Sequence, residues 1–159
     1  MPTPTYTSLA NITLGSSASS VTFSSIPATY RDLVLVVNGA GSTPENATLT
    51  FNGDTTAGNY SWVSMRGDGS SATSATSTGA LVNTYTTDRF TAIIQVMDYS
   101  ATDKHKTRLS RDDIASYHAR AWASRWANTA AVTSMVYGAA GGTFNSGTTL
   151  ALYGITSTL

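Results

Sequence analysis

Few side chains in this chain of 159 residues can do chemistry, and their spacing limits what each could do. The histidines are His105 and His118. A Ser-His-Asp set needs a base beside an activated hydroxyl, and no G-x-S-x-G elbow accompanies either one. His105 sits in the charged run Asp103-Lys104-His105-Lys106, which reads as a solvated turn, and His118 sits among aromatics and arginine. Asp112 and Asp113 could supply the acid pair of a glycoside hydrolase. Adjacent residues on a strand face opposite ways, however, and at a helix start they would be cap residues. Asp54, Asp68, Asp98 and Asp103 lie in loop-like segments and could gather Ca²⁺, but their spacing matches no calcium loop.

The remaining motifs have simpler readings. Arg66-Gly67-Asp68 is a turn at a strand end. Asn11, Asn46 and Asn59 open glycosylation acceptor patterns, which arise by chance when 48 of 159 residues are Ser or Thr. Gly138 to Gly142 lacks the Lys-Ser/Thr pair of a phosphate loop. The aromatics Trp62, Tyr85, Tyr99, Tyr117, Trp122, Trp126 and Tyr137 either fill a core or stack on sugar rings. Under a glycan-binding reading, Trp62 and Trp122 carry the contact. The expectation is of no catalytic residue, no metal and no cofactor.

Composition fixes which elements could position these groups. Charged residues make up 11% of the chain, against about 25% in an ordinary domain. The chain has one Glu and two Lys, the residues on which helix surfaces lean. Thr, Val, Tyr, Phe and Trp suit strands, with Gly and Asn as punctuation. A net charge of zero without a basic run argues against nucleic acid. No apolar run approaches a membrane span, and the first residues lack the regions of a signal peptide. Zero Cys removes disulfides and thiolate chemistry.

The pattern predicts an all-β, antiparallel β-sandwich of jelly-roll-like type, with about ten short strands and little helix, as a single domain over residues 1–159. Strands are expected at Tyr6 to Leu14, Ser20 to Ile26, Asp32 to Asn38, Ala47 to Phe51 and Tyr60 to Arg66. More follow at Leu81 to Tyr85, Arg89 to Tyr99, Ala131 to Tyr137 and Thr148 to Ile155. The five apolar residues Leu33 to Val37 mark a central strand. Asn52-Gly53-Asp54 is a turn. Gly67 to Thr78 reads as a long mobile loop, and the polar stretch Lys106 to Arg111 as an edge strand. Ser116 to Arg125 alternates as a strand but also holds helix-favouring alanines, and strand is the reading taken.

Charge is unevenly placed. Residues 1–30 and 127–159 carry none. Asp103 to Arg125 carries six cationic side chains against three acidic ones, a net +3. Interface cores are depleted in charge. Both neutral ends are therefore expected to lie side by side on an assembly surface that includes Tyr6, Leu9, Ile12, Leu14, Leu150, Leu152, Tyr153 and Ile155. Residues 1–14 would be an arm or strand engaged in assembly.

Val21 to Leu35, Phe51-Asn52-Gly53-Asp54, Asn59-Tyr60-Ser61-Trp62, Val96-Met97-Asp98-Tyr99-Ser100, Lys104 to Thr107 and Leu150 to Ile155 resemble segments of virion structural proteins of tailed bacteriophages. The resemblance covers most of residues 20–155 in pattern and order, and it carries no catalytic residue. It implies a β-rich particle component. The chain lacks a fibre repeat, a collagen repeat and coiled-coil heptads, so it looks like a capsid decoration (cement) protein. Such a protein would bind the outer shell as a homo-oligomer, a trimer by resemblance, with the major capsid protein as partner and the virion as its place. A tail-fibre module that recognises host surface glycan is the alternative.

Overall fold

The computed structural model describes residues 5–114 and 117–156. Among them it has twelve strands and one short 3₁₀ turn, Ala57–Asn59. In chain order the strands are β1 (Tyr6–Thr13), β2 (Ser20–Phe23), β3 (Asp32–Gly39), β4 (Glu45–Phe51), β5 (Tyr60–Gly67) and β6 (Ala72–Thr78). They continue as β7 (Leu81–Tyr85), β8 (Phe90–Met97), β9 (Lys106–Ile114), β10 (His118–Trp126), β11 (Met135–Ala139) and β12 (Thr149–Ile155). Eight form one sheet in the order β1-β12-β3-β8-β9-β10-β5-β6, and four form another in the order β2-β11-β4-β7. Every pairing is antiparallel. This is the expected all-β antiparallel sandwich, with twelve strands where about ten were expected.

Alternation builds the core. In β8, Phe90, Ala92, Ile94 and Val96 point inward beside Leu33, Leu35 and Val37 of β3. Leu150 and Leu152 of β12 continue the layer. Val21 and Phe23 of β2, Ala47, Leu49 and Phe51 of β4, Val82 and Tyr85 of β7, and Met135 and Tyr137 of β11 close it from the smaller sheet. Gly154 stands in this layer because Tyr30 lies where a Cβ would be, 2.4 Å from the ring.

Two sequence expectations change. Residues 72–78, expected in a mobile loop, form β6, paired with β5 from Ser61↔Thr78 to Gly67↔Ala72. Thr and Ser lack an apolar signature, yet they pair well once a neighbouring strand offers its edge. Lys106 to Arg111, expected at an edge, lies inside β9 with β8 and β10 on either side. The ambiguous stretch resolves as strand β10 from His118 onward; its first residue, Ser116, lies outside the described residues, as do 1–4 and 157–159.

The β4–β5 connection is tied by Asp54. Asn52 and Gly53 adopt φ of 52° and 73°, the left-handed region that this turn requires. Asp54 Oδ2 then accepts from Trp126 Nε1 and Asn59 Nδ2, both at 2.8 Å, and Oδ1 accepts from Thr56 N–H at 3.0 Å. The Trp126 bond first, then the others, hold the Asp54 carboxyl down to about 2 from its ordinary 3.8. Its folded value lies below its unfolded value, so this contribution to stability is present above about pH 4 and is lost as pH falls toward 2. In acid unfolding, Asp54→Asn should show a shallower loss of stability across that window than the parent; an unchanged pH profile would refute this. Leu35→Ala, at a fully buried site, should lower stability by about 2–5 kcal/mol in denaturant unfolding.

Candidate functional site

The inner face of β9 is polar where a sandwich core should be apolar. Lys106, Arg108, Ser110 and Asp112 alternate inward and are all buried. They have a structural task. Strand β7 is the edge of the smaller sheet, and its outward backbone groups face β9 and β10 rather than water. Ser110 Oγ donates to Val82 O, Ser124 Oγ donates to Leu81 O at 3.3 Å, and Asp112 Oδ2 accepts from Thr84 N–H at 3.1 Å. The Arg108 guanidinium donates to Leu49 O and Ala80 O. Side chains of one sheet thus complete the ladder of the other.

Both buried cations do without a carboxylate. Lys106 Nζ donates to the carbonyls of Ala101, Lys104 and Thr129 at 2.6, 2.9 and 3.1 Å. Burial pulls its pKa below the ordinary lysine value. The Arg108 guanidinium lies 5.6 Å from the Phe51 ring and 5.1 Å from the Tyr60 ring, and burial lowers its pKa to about 10. Cation–π attraction and carbonyl dipoles replace a counter-ion.

At the far end of β9 lies the cluster closest to a catalytic constellation. Thr84 Oγ1 donates to Asp112 Oδ2 and is 2.8 Å from His118 Nε2. Asp112 Oδ1 accepts from Trp122 Nε1 at 2.6 Å. A relay needs one imidazole nitrogen on the carboxylate and the other on the hydroxyl. Here Nε2 faces both, standing 3.6 Å from Asp112 Oδ2, and the hydroxyl is already committed to the carboxylate. Thr84 is therefore held, not activated. Burial pushes the His118 imidazole below its ordinary value, against the pull of Asp112, so it is neutral at neutral pH. Its protonation favours the unfolded chain, and its contribution to stability falls as pH drops through the ordinary histidine range. Asp113, beside Asp112, faces outward as expected for adjacent strand residues. Among the described residues no three His, Asp or Glu side chains converge as metal ligands.

The tryptophans singled out for glycan do meet, with ring centroids 5.1 Å apart. Trp122, however, is buried, its N–H is spent on Asp112, and the Arg120 guanidinium covers its ring at 4.1 Å. A sugar ring has no open face of Trp122 to lie on; Trp62 is half-buried.

The neutral ends do lie side by side: β1 pairs with β12 from Tyr6↔Ile155 to Thr13↔Thr149. The residues expected to form an assembly surface divide, however. Leu150 and Leu152 are buried in the core, and Leu9, Ile12 and Leu14 pack against it, because alternation turns them inward. Tyr6, exposed, and Tyr153, half-buried, lie on the outer side of the large sheet with rings 6.3 Å apart. Ile155 is half-buried at the end of that side.

That outer side is what the sequence reading missed. Register lines up two rows across all eight strands. One runs Asn11, Ala151, Val36, Ile93, Arg111, Ala121, Met65, Ser74. The other runs Ser8, Tyr153, Val34, Gln95, Leu109, Ala123, Val63, Thr76. Arg111 is the one charge in either row. Val63, Met65, Ile93 and Leu109 are 43–67% exposed there. Part of this face forms an open groove of about 910 Å³ that includes Met65, Ile93, Arg111 and Ala121. Alternation of apolar residues on both faces of β5 and β8 was the available signal.

Asp112→Ala should lower stability, since it leaves the buried Trp122 and Thr84 N–H donors unpaired at roughly 1–3 kcal/mol each. Asp112→Asn, which keeps an acceptor, should cost less; equal denaturation midpoints for parent and Asp112→Ala would refute the bridging role. No protein-family model matches the chain, and no curated protein matches it.

Proposed function

We propose that this chain is a structural component of a bacteriophage virion, a capsid decoration protein that binds the outer shell as an oligomer and stabilises it. The reading joins the resemblance of its segments to phage virion proteins with one observation, the outer face of the eight-stranded sheet. That face carries exposed Ile93 on β8, Leu109 on β9, and Val63 and Met65 on β5, with the small Ala121 and Ala123 of β10 between them. A contiguous apolar patch on a folded surface is a mark of an interaction site.

Its size suits the task. Eight strands at about 4.8 Å spacing and seven residues at about 3.3 Å rise give on the order of 900 Å². A specific interface takes about 800 Å² from each partner. A β face with an apolar centre, on which Arg111, Asp113 and Arg125 are the exposed charges of β9 and β10, fits a protein shell, where binding stabilises the folded partners by mass action.

Met65→Asp and Leu109→Asp alter exposed positions, so they should leave the folded domain intact. Each should cut occupancy on capsids in a co-sedimentation assay, and together they should abolish it. Full occupancy by the folded double variant would refute this face as the contact. Binding of the parent to tails and not to heads would refute the decoration role.

A further inference from the structure

The two sheets treat their edges differently. In the smaller sheet one edge, β2, is only four residues long, and the other, β7, has backbone groups taken by Ser110, Ser124 and Asp112, with Arg108 on the Ala80 carbonyl just before it. Short length and cover are two of the devices by which folded proteins keep edges from pairing with another chain. In the large sheet the edges are β1, of eight residues, and β6, of seven. Among the described residues each pairs with one neighbour only. Neither carries a charge or a proline, and every side chain of β6 is exposed. Among the described residues the protective feature is the irregularity between Ser8 and Ala10 in β1.

The direction of the strands makes these two edges complementary. Seven antiparallel steps lead from β1 to β6, so the two edge strands run in opposite directions. A second copy set beside the first in the same orientation therefore brings its β1 antiparallel to β6. We infer that copies of this chain join edge to edge, with β6 of one copy hydrogen-bonded to β1 of the next as a continuation of the antiparallel ladder. The main chain supplies the bonds, and Ser and Thr side chains on both strands lie side by side without charge repulsion. The contact is heterologous, so it closes into a ring if the rotation between copies allows it and otherwise extends as a filament. The inference deepens the assembly reading above and leaves the outer face free for the shell.

The test closes one edge at a time with lysines on exposed positions. Variant one is Ser74→Lys with Thr76→Lys on β6, and variant two is Ser8→Lys with Asn11→Lys on β1. Circular dichroism and thermal midpoints confirm that each is folded. In analytical ultracentrifugation the parent should self-associate and each variant alone should be monomeric. An equimolar mixture should form a one-to-one complex, through the open β1 of variant one and the open β6 of variant two. A monomeric parent at high concentration overturns the inference. So does a variant that dimerises alone, since that contact would be β1 to β1 or β6 to β6. So does a mixture that stays monomeric. These measurements use no capsids, so their failure is separate from a failure of shell binding.

Discussion

A four-stranded sheet laid on an eight-stranded one leaves the edge of the narrow sheet inside the protein, and that edge must be hydrogen-bonded. The inward rungs of β9 meet this demand. Ser110 and Asp112, with Ser124 from β10, reach Val82, Thr84 and Leu81, and Arg108 reaches the carbonyls of Leu49 and Ala80. The need accounts for a polar strand at the centre of the wide sheet. It also accounts for a buried guanidinium whose charge is held by rings and carbonyls. The cluster of Thr84, Asp112 and His118 belongs to the same scheme, and for that reason its hydroxyl is bound to a carboxylate rather than poised for attack.

The mismatch in width has a second consequence. A sandwich of equal sheets presents two solvated faces of similar kind. Here the wide sheet has an outer face crossing eight strands, and its last strands, β5 and β6, reach beyond the cover of β7. Exposed Met65, Val63, Leu109 and Ile93 stand on that face, and uncharged edges bound it. Face and edges are different kinds of surface. The face offers apolar area without direction. The edges offer directed backbone bonds without much apolar area. A protein that must join its own copies and also grip another protein can use each for one task.

The sequence was legible where burial and alternation coincide. The stretch Arg89 to Tyr99 announced a strand, the run Leu33 to Val37 announced a central one, and Asn52-Gly53 announced its turn. β6 was not legible, because ATSATST has the composition of a loop and becomes a strand only by pairing with β5. β9 was misplaced to an edge because inward polar residues normally mean solvent, and only the β7 backbone explains them. The neutral ends were found as a feature, but Leu150 and Leu152 went to the core because β12 turns that side inward.

What the sequence determined alone is the class: strands rather than helices, no thiol chemistry, and charge confined to the middle of the chain. These follow from residue types, which act locally and need no partner. The tertiary structure decided which side of each strand is buried, which polar residues bridge the sheets, and which edges stay open. Those depend on the neighbour that each strand meets, and a strand's neighbours are distant in sequence. Lys106 through Arg111 read as an edge until β7 is laid against them, and Ser74 reads as a loop residue until its segment pairs with β5.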